Sequence, residues 1–266
     1  MIFIVGCGTL GSKVAHLLAD KQLALIDHDV VYEHNLATQE YTRRDVGTQK
    51  VYALLRVLPG VRTHNVFLDQ TNLELLREAE VVVDCTDNLL TRELLDAYCY
   101  HNGIPLVHAA AAKKRGVAGL FTGKPCLRCV YHNKVSLENC RGNEIDQALA
   151  RLLAQTQERF VRAVLRGEEH HELYLVYPDR LEELRVAGDC SVCEQPVSQE
   201  AFYITWCPQA QCLSAKRLQP LEVRIGSYTI GSVTAHVQRD GEIHFSGSED
   251  VDALKAVAKQ IYASLS

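Results

Sequence analysis

Two short segments carry the residue types and spacing to handle a phosphorylated substrate. Val5-Gly6-Cys7-Gly8-Thr9-Leu10-Gly11-Ser12 closes one apolar run, and Asp84-Cys85-Thr86-Asp87-Asn88 follows another, Val81-Val82-Val83. Gly6-x-Gly8-x-x-Gly11 is the spacing of a strand-to-helix turn in which backbone N–H groups and the helix amino end bind phosphate. Asp84 and Asp87, with the Asn88 amide, put two carboxylates within reach of a metal-bound nucleotide. A third apolar run, Leu23–Ile26, ends at Asp27, where an acid can hold a ribose hydroxyl. Alone, the glycine spacing fits a nicotinamide or flavin dinucleotide first, and with it an NAD-dependent oxidoreductase. A glycine turn without a ligand is the bland alternative.

The chain holds 10 cysteines. Cys126/Cys129 and Cys190/Cys193 are two CxxC pairs, and four thiolates in two knuckles make a closed structural zinc site. Cys207 and Cys212, more widely spaced, compete as the second pair. Cys7, Cys85 and Cys99 lie in apolar or helical segments and read as small core residues. Cys140 stands beside Arg141, which favours a thiolate; an inert loop cysteine is the alternative.

These groups need a scaffold, and the hydrophobic pattern predicts one. Met1–Val5 is a continuous apolar run, the mark of a buried parallel strand. Leu10–Ala19 has helical spacing, Leu23–Ile26 is a strand, and Asp45–Leu58 is a helix stopped by Pro59-Gly60. Val61–Leu68 then reads as a strand, Asn72–Glu78 as a helix, and Glu80–Asp84 as a strand. Leu89–Tyr100 reads as a helix and Ile104–Ala110 as a strand. This alternation predicts an α/β fold with a doubly wound, mainly parallel sheet. Past Gly123-Lys124-Pro125-Cys126 the pattern changes to an amphipathic helix, Glu144 to Leu165, with strands at Glu172–Val176 and Leu184–Ala187. From about residue 196 a small α+β module is expected, with strands at Phe202–Trp206, Leu221–Ile225, Ser232–Val237 and Ile243–Phe245. Asp240-Gly241 makes the last hairpin turn, and a helix covers Val251–Leu265. The expected domains are 1–195 and 196–266.

With 266 residues, 47% of them hydrophobic, the chain can bury a sizeable core. A net charge of −5 offers no bulk basic field for nucleic acid. No apolar stretch nears the roughly 20 residues that span a bilayer, and the first apolar run is too short for a signal peptide. The expectation is a cytoplasmic protein with neither a nucleic-acid nor a membrane partner.

Four further segments extend the pattern: Asp27-His28-Asp29, Asn35-Leu36-Ala37-Thr38-Gln39, Asp45-Val46-Gly47-Thr48-Gln49-Lys50, and Pro105–Ala110 leading on to Cys126–Cys129. In this order and with the first two segments, the chain resembles the MoeB/ThiF/HesA family, bacterial relatives of ubiquitin-activating enzymes, over residues 1–195. The resemblance implies a Rossmann-like, ThiF-type fold with a zinc knuckle. It also implies an adenylyltransferase that uses Mg-ATP to activate the C-terminal glycine of a small ubiquitin-like or sulfur-carrier protein ending in Gly-Gly. A homodimer is implied too. By position, Asp27 would bind the ribose, Asn35 and Lys50 the phosphates, and Asp87 the Mg²⁺; Asp29, Gln39 and Asn88 belong to the same motifs. Cys126, Cys129, Cys190 and Cys193 would hold the zinc, and Cys140 would form a thioester or persulfide link.

Each role has a plainer counterpart: Asp87 as a cap for the helix near Leu89, Lys50 as a helix-surface lysine, Asp29 and Asp84 as turn residues, Arg92 as a structural cation. The chain departs from the family in having Thr38 where an arginine is usual, with Arg43 or Arg44 as candidate substitutes. It also begins directly in the first strand, without the family's N-terminal helical segment. The glycine-rich helix usual after the first knuckle is replaced by a charged one. These departures leave a second reading, a non-catalytic scaffold that binds nucleotide or a ubiquitin-like partner.

Overall fold

The computed structural model describes residues 1–112, 114–132, 145–168, 171–185, 202–207, 212–217, 226–238, 243–248 and 250–265. The chain divides into two compact units, the first lying within residues 1–197 and the second built mainly of Ser198–Ser266.

In the first unit, three strands, apolar except for Asp84, lie side by side: β1 (Ile2–Val5), β2 (Leu23–Ile26) and β4 (Val81–Asp84), every residue buried. Their alternate side chains feed two separate cores. Ile2, Ile4, Leu23, Leu25, Val81 and Val83 meet Leu10, Val14 and Leu18, while Phe3, Val5, Ala24, Ile26 and Val82 face Leu76, Leu95 and Cys99 on the opposite side. Helices therefore cover both faces, as the doubly wound expectation requires. On the first face lie α1 (Thr9–Leu17), α2 (Lys50–Val57) and the long α5 (Gln147–Leu165). On the other lie α3 (Leu89–Asn102) and α4 (Leu127–His132).

The sheet order is β3-β2-β1-β4-β5-β6-β7-β8, with β3 at Arg62–His64, β5 at Leu106–Ala112, β6 at Arg115–Phe121, β7 at Glu172–Val176 and β8 at Leu181–Glu183. β3 through β5 run parallel and β6 to β8 are antiparallel, so the sheet is mixed. From β1 the chain winds outward to β2 and β3, then returns to place β4 on β1's other side. The β1/β4 boundary is thus the topological switch point, and the loops leaving the carboxyl ends of both strands open there. Those loops are the two segments singled out above.

Several elements differ from expectation for local reasons. The helix expected at Asp45–Leu58 begins only at Lys50, because residues 47–50 pair with residues 29–31. Gly47 N–H donates to the Val31 carbonyl (2.9 Å) and Lys50 N–H to the Asp29 carbonyl (2.8 Å). Leu73–Glu78 is a 3-10 helix where an α-helix is expected, and Asp45 closes a 3-10 turn, Arg43–Asp45. β3 is shorter than Val61–Leu68, and β8 ends before the strand expected at Leu184–Ala187.

The second unit is an antiparallel sheet ordered β11-β12-β13-β10-β9, from β9 (Phe202–Cys207), β10 (Cys212–Arg217), β11 (Gly226–Ile230), β12 (Val233–Val237) and β13 (Ile243–Ser246). Alternate β12 and β13 residues bury against Leu254, Val257, Ala258, Ile261 and Tyr262, one face of α6 (Val251–Leu265). The strand expected at Leu221–Ile225 and the turn at Asp240-Gly241 lie outside the described residues. Among the described residues no helix is long and apolar enough to cross a membrane.

Candidate functional site

The turn after β1 explains its glycines. Gly6 has φ +87°, and a Cβ there would sit 2.7 Å from the Cys85 carbonyl oxygen; at Gly11 a Cβ would sit 1.8 Å from the Gly6 carbonyl oxygen. These two bring the α1 amino end, the glycine turn and the β4 exit loop into contact. Gly8 differs, since nothing lies within 4 Å of its added Cβ. Gly8 is the N-cap of α1 and supplies no side-chain cap, so open space fronts the first helical N–H groups.

Asp27 fixes the turn from the β2 side. Its carboxylate accepts the Cys7 N–H (2.6 Å) and the Asp29 N–H (2.7 Å), one on each oxygen. Burial raises its pKa, against Lys50 and those two donors. Lys50, at the first position of α2, is buried and donates to Asp29 (2.8 Å). Burial works against its charge, but Asp27, Asp29 and Asp87 outweigh it and hold the ammonium protonated well above the usual lysine range. Lys50 is therefore no surface lysine. Asp27, Asp29, Lys50 and Asp87 come together; Asp87 is exposed, and no hydrogen bond or ion pair engages it among the described residues. Asn35 is buried, its side-chain oxygen accepting the Tyr32 N–H (2.9 Å). The Gln39 side-chain carbonyl is buried with no donor among the described residues.

Asp84 has other work. Fully buried, it accepts from the Thr86 N–H and hydroxyl (2.9 and 2.7 Å) and from His108 Nδ1 (2.6 Å). Burial alone would raise its pKa, yet the His108 hydrogen bond and Arg92 hold it below the usual range; burial keeps His108 below its own. The pair is a carboxylate with a neutral imidazole donating Nδ1–H, and it shapes the loop that presents Asp87. Arg92 donates to the Thr86 carbonyl (2.5 Å), a structural role as expected. Gln157 of α5 donates to the Asp84 carbonyl (3.0 Å) and accepts from the Cys85 thiol (3.5 Å). Neither His108 nor Gln157 was anticipated; a wholly buried histidine or glutamine shows in sequence only as a polar residue within an apolar pattern.

Arg43 and Arg44 are exposed, and Arg43 pairs with Glu33 (3.2 Å). Cys7, Cys85 and Cys99 are buried as expected. Cys126 and Cys129 are also buried, their sulfurs 3.6 Å apart. Four sulfurs about 2.3 Å from a tetrahedral zinc stand about 3.8 Å apart, so this pair fits one edge of such a site. Asp96 of α3 anchors the knuckle by accepting the Leu127 N–H (2.8 Å), the Arg128 N–H (3.3 Å) and Arg128 Nε–H (3.2 Å). Cys140, Cys190 and Cys193 lie outside the described residues.

The model of the ThiF family matches residues 1–238. The mouse (Mus musculus) adenylyltransferase and sulfurtransferase MOCS3 is 32% identical over 250 residues, covering 83% of this chain and 54% of that protein. The molybdopterin-synthase adenylyltransferase of Escherichia coli is 36% identical over 143 residues, 48% of this chain and 57% of that protein. The SAMP-activating enzyme E1 of Haloferax volcanii is 36% identical over 142 residues, covering 49% and 53%. The chain thus spans about half the length of the curated relatives it matches. Among solved structures, E. coli MccB with ATP superposes with a TM-score of 0.60 at 19% identity, covering 73% of this chain and 67% of that one, a likeness of fold. The glycine turn, the Asp27–Lys50 cluster and the Asp84–Asn88 loop meet at the switch point of a doubly wound sheet, and the chain carrying them belongs to the ThiF family.

Proposed function

We propose that this protein adenylates the C-terminal carboxylate of a small ubiquitin-like or sulfur-carrier protein ending in Gly-Gly, using ATP. The observation that carries the reading is the buried Lys50 ammonium, kept charged by Asp27, Asp29 and Asp87 beside the glycine turn. Family membership and the names of the adenylyltransferase relatives support it. Each Asp27 oxygen retains a lone pair for a ribose hydroxyl, and the buried Gln39 carbonyl suits a ligand that brings a hydrogen-bond donor. A carrier carboxylate oxygen attacks the α-phosphorus, the bond from that phosphorus to the bridging oxygen breaks, and pyrophosphate leaves. Lys50, Asn35 and the α1 amino end stabilise charge that grows on the phosphates. Asp87, exposed and unengaged among the described residues, suits Mg²⁺, which commonly takes one or two carboxylates and would neutralise phosphate charge. Asp29 orients Lys50, and Asn88 lies next to Asp87 in the chain. Cys126 and Cys129 would hold a structural zinc with Cys190 and Cys193. Cys140 would receive the activated acyl group, releasing AMP, on the way to sulfur transfer or conjugation. Residues 196–266 would form a separate docking module after a 1–195 catalytic domain, and the protein would act in the cytoplasm as a homodimer.

The test is ATP–pyrophosphate exchange with Mg²⁺, run with small proteins ending in Gly-Gly from the same genome. Exchange should depend on one carrier and fall by about 100-fold or more in Asp87→Ala. Tight carrier binding without exchange would favour the scaffold reading, which Thr38 at the position of the family's usual arginine motivates. Binding of NAD in preference to ATP would restore the oxidoreductase.

A further inference from the structure

Lys13 is a buried cation that the proposed mechanism leaves unused. Only 8% of its side chain is exposed. It lies in the second turn of α1, and helical side chains lean toward the amino end. Its ammonium accordingly ends against the Thr38 carbonyl (2.9 Å) and Glu40 (2.7 Å). Thr38 is in turn held to Thr9, the first residue of α1, through their hydroxyls (3.3 Å). Ser12 accepts the Glu40 N–H (3.1 Å) and Tyr41 donates to the Cys7 carbonyl (2.7 Å), so residues 38–41 form a strap along the glycine turn. Lys13 thus delivers a positive charge to the flank of the open α1 amino end.

The charge balance calls for it. Three carboxylates, Asp27, Asp29 and Asp87, surround the single Lys50 ammonium, and a triphosphate adds several more negative charges. Arg43 is exposed and already paired with Glu33 (3.2 Å). The Glu40 carboxylate is 45% exposed, so it can turn to water when a phosphate oxygen takes its place on Lys13. Resting on the ATP reading above, we infer that Lys13 is a phosphate-binding residue of the nucleotide site, its ammonium shared between the 38–41 strap and the triphosphate.

The experiment compares ATP and adenosine binding by calorimetry in the full-length wild type, Lys13→Met, Lys13→Arg and Glu40→Gln. In Lys13→Met the Kd for ATP should rise about 10- to 100-fold while that for adenosine stays unchanged. Lys13→Arg should hold ATP within a few-fold, and Glu40→Gln should bind ATP at least as tightly as wild type. Equal loss of ATP and adenosine, or weakened ATP binding in Glu40→Gln, would make Lys13 a pin for the strap and overturn the inference. Unchanged ATP binding in Lys13→Met would overturn it too. If Lys13→Met fails to fold, Lys13→Arg and Glu40→Gln still decide. A wild type that binds no ATP would refute the function itself, a result distinct from any of these.

Discussion

Gly8 and Gly11 belong to one motif yet do different things. A methyl at residue 11 would strike the Gly6 carbonyl at 1.8 Å, and backbone must move to admit it. Gly11→Ala should therefore cost about 2–3 kcal/mol, read as a lowered Tm. A methyl at residue 8 meets no atom within 4 Å. That methyl would instead enter the space fronting the α1 amino end, so Gly8→Ala should weaken ATP by about tenfold or more. Undiminished ATP affinity in Gly8→Ala would remove phosphate from this turn. The His108–Asp84 pair sets a pH dependence. His108 is held below its unfolded pKa, so the unfolded chain binds its proton more readily and stability falls as pH drops through about 6.5. Asp84, also held low, adds loss as pH falls below about 4. Melting temperatures between pH 8 and 5 should decline in wild type and flatten over that span in His108→Gln. Asp27 and the Asp84–Asn88 segment stand out in sequence because polar residues close apolar runs there, whereas Lys50 is pointed to only by the family resemblance. Lys13 and Gln157 do not stand out, since what each touches lies 25 or more residues away.

At the level of elements, α3 runs from the Asp84–Asn88 loop toward the Cys126–Cys129 knuckle, with Asp96 holding the first turn of α4. Asp96 and Arg128 are both buried, and disrupting such a pair typically costs about 3–5 kcal/mol. Asp96→Ala should lower both the Tm and the zinc content of purified protein, measured by metal analysis. A strong chelator should release about one zinc per chain, and unchanged metal content in Cys126→Ser/Cys129→Ser would disprove this knuckle as the site. The α/β alternation was readable because fully apolar strands and amphipathic helices have different periods. The start of α2 was not. The N–H groups of Gly47 and Lys50 bond to residues 31 and 29, a tertiary constraint that displaces the helix start and sets Lys50 at its head.

For the whole molecule, the two units bring separate cores and separate reporters. The sole tryptophan, Trp206, lies in β9 of the second unit, while the proposed nucleotide-binding residues from Gly6 to Asp87 lie in the first. Tryptophan fluorescence and far-UV circular dichroism should give non-coincident denaturation curves, and ATP should move the second more than the first. Coincident curves shifted equally would show one cooperative unit. In sequence, strands followed by a single helix from about residue 196 suggest a separate module. The pairing of α1 with α5 was not suggested, because it joins distant parts of the chain. Arg162 clasps Asp20 with both terminal nitrogens (3.1 and 3.0 Å) across 142 residues, above a core that joins Leu10 and Val14 to Leu153 and Phe160. During synthesis at about 5–20 residues per second, the apolar flank of α1 must then wait on the order of 7–30 s for its cover to leave the ribosome. The nascent chain passes that interval with a sticky half-built sheet, a span in which a chaperone has a defined surface to guard.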